Sequence, residues 1–502
     1  MSTDCRAYLA LERQFARIAA INDAAGILGW DAQTMMPDGA AESRAAAAAT
    51  LSVLAHDALT DPRTGDWLAE AEAGRAVLAP WQAANLREMR QLWRHGTAVP
   101  VDLVEAASRA ASTAERVWRT ARADSDFASL QPALAEVLTL QRAIGQAKAA
   151  MLGCSPYDAL LDGYEAGART AAIDPLFDDL AGFLPGFLGL VLERQAGMPA
   201  LEPLSGPFPV HAQRSLGEHL MRRIGFDFNR GRLDVSLHPF CGGATNDVRL
   251  TTRYDESDFT RALMGVLHET GHALYEQGRP ADWLTQPVGG SRGMAVHESQ
   301  SLIIEMQAAR SRPFLEFLAP VVREAFGGSG PAWAVENFHR LYTRVQPGFI
   351  RVDADEVTYP AHIILRYRLE KALIAGDLAL ADLPGAWAEG MHALLGLTPP
   401  DDRRGCLQDI HWPCGGWGYF PTYTLGAAIA AQLFDAASRA EPDLRPGLAR
   451  GDFTPLVRWL RGAIHGQGSL LSAEHLLRAA TGRPLDPSIY RRHLERRYLE
   501  GE

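Results

Sequence analysis

The sequence predicts a mainly α-helical protein carrying one small β-sheet, on three observations. Long stretches rich in Ala, Leu and Arg carry helical apolar spacing, runs of β-branched residues are few, and a single short extended region stands out. In chain order, helices are predicted over Ala40 to Leu59 and Leu130 to Leu152. The extended region is Leu233 to Tyr254, where Val248, Leu250 and Thr252 alternate. A further helix runs through Thr260 to Glu276: Leu263, Val266, Leu267 and Leu274 recur at helical spacing and no Pro interrupts them. A glycine-bearing loop, Gly289 to Ala295, then enters another helix carrying His297 to Glu305. Helices over Glu370 to Leu383 and Thr424 to Ala440 follow. The sheet is expected beside the helix at Thr260 to Glu276, where an edge strand can hold a peptide by backbone pairing.

Composition bounds the rest. With 502 residues, 47% of them hydrophobic, the chain can bury a large core. No Ser/Gly-rich or charged linker divides it, so residues 1–502 read as one catalytic domain. Cys5, Cys154, Cys241, Cys406 and Cys414 are scattered, odd in number and form no CxxC pair, which fits a reducing compartment. Met1 to Ala7 lacks the charged and apolar regions of a signal peptide, and no uninterrupted apolar stretch is long enough to span a bilayer. A cytoplasmic protein with no membrane partner is expected. The net charge of −11 disfavours nucleic acid as a partner. The basic cluster Arg491 to Arg497 reads as a solvated helix face.

The chemistry is concentrated in His268-Glu269-Thr270-Gly271-His272, an HExxH sequence. Residues i and i+4 lie one above the other on a helix face, so His268 and His272 can grip one metal ion together. Glu269 sits beside them, placed to take a proton from a water that the metal activates. This is the core of a zinc peptidase. The bland alternative is a buried amphipathic helix whose histidines merely satisfy hydrogen bonds. A catalytic zinc has three protein ligands and one open position. The stretch after His272, Ala273 to Gly278, lacks the third histidine of a metzincin, so the next ligand lies downstream. His297 and Glu298 stand there side by side. Adjacent helix residues point about 100° apart, so one of the two binds directly. Glu298 shares a stripe with Leu302 and Glu305, and His, His, Glu is a known catalytic zinc set. His297 is then behind the ligands or facing substrate, and Glu305 reads as a solvated or core-edge carboxylate.

Further segments resemble one family across nearly the whole chain. Leu28 to Pro37 is similar to an opening LGWD…MP segment, His238-Pro239-Phe240 to an HPF motif, and Asp247 to Thr252 to DxRxT. His297 to Gln300 is similar to HES(Q), Ile350 to Tyr359 to RxxADExTY, and Gly405 to Trp412 to GxxQDxHW. With the HExxH sequence these identify the chain as resembling the carboxypeptidase Taq family of metallocarboxypeptidases. It departs from that pattern in the loop Gly290 to Ala295, at Ser301 to Ile304 and at Pro360, none of which are ligands.

The resemblance implies a two-lobed helical body with a deep groove, the metal at its floor, and a homodimer. It implies release of C-terminal residues, one at a time and with broad specificity, from peptides with a free C-terminus. Rivals are an oligopeptide endopeptidase or dipeptidyl carboxypeptidase on the same fold and, from another class, a non-enzymatic peptide-binding protein. One divalent metal is expected, zinc first, though a His, His, Glu set also accepts Co²⁺ or Mn²⁺. His411, Tyr419 and Tyr423 are the candidate oxyanion donors. Arg351 is the candidate reader of the substrate carboxylate, because the planar guanidinium fork suits it. Arg249 is the second choice, able instead to pair with Asp247 or brace the HPF turn, and His238 belongs to a turn that limits how far a peptide extends past the metal.

Overall fold

A computed structural model of the protein describes residues Arg6 to Gly501. Cys5 and most of Met1 to Ala7 lie outside the described residues; Cys154, Cys241, Cys406 and Cys414 are free thiols. Helix accounts for 71% of the structure, in twenty α-helices among the described residues, beside one three-stranded sheet. The first four helices, Arg6–Thr34, Ala41–Thr60, Pro62–Ala73 and Pro80–Thr97, close over their own apolar cluster of Tyr8, Leu11, Phe15, Leu68, Leu86 and Met89. Most other buried side chains join a second, larger core that reaches from Ala121 to Tyr498.

The extended region resolves into three short strands: β1 (Gly231–Val235), β2 (Cys241–Ala244) and β3 (Asp247–Thr252). Their order is β1-β3-β2, with β1 parallel and β2 antiparallel to β3, and Leu250 lies opposite both Leu233 and Cys241. Leu233, Val248 and Leu250 point one way and pack with Val266 and Ala273 of the helix Phe259–Gly278, which places the sheet beside the HExxH residues as expected. That alternation is the period-two signature visible in the sequence. The N-terminal helix seals the free edge of β2: Thr245 N donates to Asp23 at 2.9 Å, and Gly26 meets the Gly243 carbonyl so closely that a Cβ would stand 2.2 Å from its oxygen.

Two expectations need correction, one at a helix boundary and one at a basic cluster, and a third element bears on the absence of a membrane span. The helix predicted over Glu370 to Leu383 is two elements: Tyr359–Ala375 stops where Gly376 turns left-handed (φ 89°), and Leu383–Leu395 begins a new helix. One helix, Thr170–Ala196, is long and apolar enough to cross a membrane by length and composition. Here its apolar face (Phe177, Leu180, Leu184, Phe187) lies in the main core, while Asp174, Asp178 and Asp179 on it bind Lys371, Arg368 and Arg491. The Arg491 to Arg497 cluster is not a fully solvated face. Arg497 and His493 turn inward onto the buried Glu356 carboxylate, each at 2.8 Å.

Candidate active site

Two helices meet at the site. Phe259–Gly278 starts at Asp258, whose carboxylate caps Thr260 N at 2.8 Å, and it is held by fully buried Leu267 and Leu274. Truncating such a leucine typically costs about 2–5 kcal/mol, so the apolar face anchors the helix and leaves its polar positions to chemistry. The second helix, Gly293–Leu302, runs on into a π-helical segment, Ile303–Ala309, a distortion that recurs at functional sites. The two backbones nearly touch: a Cβ on Gly271 would stand 2.2 Å from the Gln300 carbonyl oxygen. Glycine inside HExxH is therefore a packing requirement in this chain.

That approach brings His268, His272 and Glu298 together, with ligand atoms all within 4.8 Å of one another. His272 Nε2 lies 3.4 Å and His268 Nε2 4.0 Å from Glu298 Oε2. A tetrahedral cation with bonds of about 2.1 Å sets its donors about 3.4 Å apart, so the donor set fits one divalent ion. Of the two neighbours, Glu298 is the one that faces the histidines. His297 instead stacks on the His272 ring at 4.6 Å and meets Glu276 Oε1 through Nε2 at 3.0 Å. A third helix holds Glu298 from behind, since Gly426 leaves room for its Cβ and Cγ where an added methyl would come within 2.8 Å.

Glu305 is not solvated. It is buried, its Oε2 lies 2.9 Å from His268 Nδ1, and its Oε1 accepts from Arg310 at 2.5 Å. A carboxylate on the far nitrogen fixes the imidazole tautomer and turns Nε2 toward the metal position. Glu276 holds His297 at Nε2, which keeps that nitrogen engaged away from the metal position. The sequence held a partial signal for Glu305, its place two turns beyond Glu298, but none for the partner it would find. Glu269 is also buried; burial above all, with the Glu298 and Glu305 carboxylates, pushes its carboxyl up to about 7 against the pull of His268. The Cys241 thiol on β2 is pushed well above its ordinary value by burial and by Glu269 and Glu276, so β2 borders the site with a neutral thiol.

The aromatic stretch expected to supply oxyanion donors forms one cluster. His411 lies 5.9 Å from the Tyr419 ring and 6.4 Å from that of Tyr423, and the two tyrosines are 5.1 Å apart. Burial first, then neighbouring tyrosines and Glu298, raise both phenols, so both stay protonated in the field of the ligand carboxylate. Burial pushes His411 down to about 4, which leaves a neutral ring with one N–H to give.

Arg351 lies against the same cluster, its guanidinium 5.2 Å from the centre of the Tyr423 ring. It is buried and its fork is already engaged: Nε and one terminal nitrogen reach Asp409 Oδ1 at 3.0 and 2.8 Å, and the other terminal nitrogen reaches the Tyr359 hydroxyl at 3.3 Å. Asp409 in turn binds the buried Arg366. Arg249 pairs with Asp247 in bidentate fashion and lies 4.4 Å from the Trp30 ring centre, with Arg232 at 5.2 Å from it. The HPF turn is braced by Ser236, which donates to the His238 carbonyl at 2.6 Å, and by Thr251, which accepts from Phe240 N at 3.0 Å. The His238 side chain itself is exposed.

Two imidazoles and a carboxylate around one point, with a second carboxyl held beside them out of water, are equipment for hydrolysing a carbonyl compound with an activated water, and the class that does this from an HExxH helix is the metallopeptidases. The chain belongs to the carboxypeptidase Taq (M32) metallopeptidase family, whose model matches residues 10–498. It is 40% identical to thermostable carboxypeptidase 1 of Thermus thermophilus over 504 aligned residues, covering 98% of this chain and 97% of that one. Metallocarboxypeptidase 1 of Trypanosoma cruzi superposes with a TM-score of 0.96 at 43% identity, over 98% of this chain and 99% of that one. The M32 carboxypeptidase of Deinococcus radiodurans R1 does so with 0.93 at 35% identity, over 98% and 99%. The protein is accordingly a metallocarboxypeptidase, a peptide hydrolase of a family that works with a divalent metal.

Proposed function

We propose that the protein removes C-terminal residues one at a time, with broad specificity, from peptides with a free C-terminus, using zinc held by His268, His272 and Glu298. The observation that carries this reading is the convergence of those three donors beside the buried Glu269. A bound cation would acidify a water and polarise the scissile carbonyl. Glu269 takes the proton of the attacking water on its carboxylate and then passes it to the leaving amine nitrogen. His411, through the N–H of its neutral ring, and one of Tyr419 and Tyr423, through a protonated phenol, donate to the oxyanion. Arg351 reads the terminal carboxylate through the edge that now meets Tyr359, since its other edge is fixed on Asp409. Arg249 is the alternative anchor. The same reading includes a homodimer in a reducing, cytoplasmic setting.

The deciding experiment compares one peptide as free acid and as C-terminal amide, with products followed by mass spectrometry. Single amino acids released from the acid, with kcat/KM falling sharply for the amide, are expected. Equal rates on both, or internal fragments, would favour an endopeptidase. Arg351→Ala should narrow the gap between acid and amide, and an unchanged gap moves the anchor to Arg249.

A further inference from the structure

Residues 396–420 join the helices Leu383–Leu395 and Pro421–Ala440 without forming a helix or strand, yet they carry Asp409, His411 and Tyr419. Backbone without regular pairing keeps one shape only where other groups bind it. One face of the helix Tyr359–Ala375 does so here. Arg366 Nε donates to Asp409 Oδ2 at 2.6 Å. One turn further on, the fully buried Glu370 carboxylate accepts from Trp412 Nε1 on Oε1 at 2.8 Å. Its Oε2 accepts from the Tyr157 hydroxyl at 2.7 Å and from Gly418 N at 3.3 Å. Trp412 directly follows His411, and Gly418 directly precedes Tyr419. One carboxylate thus ties together the chain neighbours of two groups assigned above to the oxyanion.

His411 depends on that hold. Its Nδ1 is buried with no hydrogen-bond partner among the described residues, and its ring rests on Phe420 at 4.5 Å. The direction of the imidazole therefore follows the backbone on either side of it. Keeping a carboxylate at this place also destabilises the fold. Burial above all pushes Glu370 up to about 7, against the pull of Tyr157, Trp412, Gly418 and Arg366. A raised carboxyl pKa takes stability away as pH rises from about 4.5 to 7, and a neutral glutamine of the same shape would avoid that loss. Glutamine, however, has one acceptor oxygen, so its amide nitrogen would face the N–H of either Trp412 or Gly418, donor against donor.

We propose that Glu370 is a positioning residue for peptide hydrolysis, holding His411 and Tyr419 where the oxyanion forms; this rests on the assignment of those groups as oxyanion donors. The test is E370Q in the metal-loaded, full-length protein. Its kcat should fall on the order of 10–100-fold, since displacing a reacting group by about 1 Å can cost 10²-fold. Affinity for a phosphinic peptide, whose tetrahedral anion copies the oxyanion, should fall by the same factor. KM and zinc affinity should hold, and the thermal midpoint at pH 8 should hold or rise. Y157F leaves the carboxylate on Trp412 and Gly418 and should show the same pattern to a smaller degree. If Glu370 acts through His411, E370Q/H411A loses less than the product of the two single losses. Wild-type kcat in E370Q would overturn the proposal. So would a loss shared by KM or zinc affinity, which marks a general loosening of the fold, and so would losses that multiply in full in the double variant. Wild-type turnover in H411A would instead remove the oxyanion assignment, and the proposal with it.

Discussion

Replacing Glu305 by Gln tests how much of the metal site lies outside the ligands. The native carboxylate serves two cationic or donor partners at once, His268 Nδ1 at 2.9 Å and Arg310 at 2.5 Å, inside a buried pocket. Glutamine keeps the shape and one acceptor oxygen. Its amide nitrogen must then face either the imidazole N–H or the guanidinium, donor against donor, and the negative charge that makes His268 a stronger base is gone. Removal of such an outer partner typically lowers metal affinity about 10–100-fold, on the order of 1.4–2.7 kcal/mol. The assay is competition for zinc against a chelator at neutral pH, with turnover measured separately at saturating metal. Affinity should fall within that range, and turnover at saturation should fall less, since Glu269 and the three donors remain.

The variant also leaves Arg310 buried without its carboxylate, which destabilises the fold by itself. The double variant E305Q/R310M removes that complication. If the zinc affinity of E305Q returns to the wild-type value once Arg310 is gone, Glu305 serves to neutralise the arginine and has no part in orienting His268. If the loss persists, it belongs to the imidazole contact.

Gly426→Ala should lower both metal affinity and thermal stability: the new methyl comes within 2.8 Å of Glu298 Cβ and Cγ, and overpacking of about 1–3 kcal/mol outweighs the roughly 1 kcal/mol gained in helix propensity. Unchanged zinc titration in this variant would sink that account. Glu269→Gln should keep its metal and lose on the order of 10²–10⁴-fold in kcat, and near-native turnover in the metal-loaded variant would remove Glu269 from the mechanism. Glu298→Ala should empty the metal site far more than His297→Ala, because only Glu298 faces both histidines; metal titration reads this directly, and the reverse order would overturn the ligand set. Glu165, which caps the second ligand helix at Ala295 N, is pushed up to about 7 by burial. A raised carboxyl pKa means the folded state holds its proton longer, so the wild type should lose on the order of 3 kcal/mol as pH rises from about 4.5 to 7. Denaturant unfolding at pH 5 and pH 8 should show that loss shrinking in Glu165→Gln, and parallel pH profiles would refute it.

What could be read from the sequence and what could not divides along the distance between partners. His268, Glu269 and His272 share one helical turn, so helical geometry alone places two donors and a base together, and the Leu/Val spacing around them shows the helix. The period-two pattern at Val248, Leu250 and Thr252 is local in the same sense and located the sheet. Apart from the helix break at Gly376, what the local pattern left open are charges whose partners are remote. Arg351 has the right chemistry for a substrate carboxylate, yet Asp409, 58 residues later, occupies its better edge. Arg497 looked solvated because its neighbours in sequence are basic and polar, while Glu356, 141 residues earlier, draws it inward. Glu305 meets His268 across 37 residues, and its final position depends on a π-helical turn that no spacing rule anticipates. A buried carboxylate or guanidinium is stable only when paired. The pairing therefore decides its role, and the pair exists only after the helices have packed. For this chain the reactive centre is legible because one helix carries most of it. The parts that tune and aim that centre are long-range ion pairs, and they became visible only in the folded molecule.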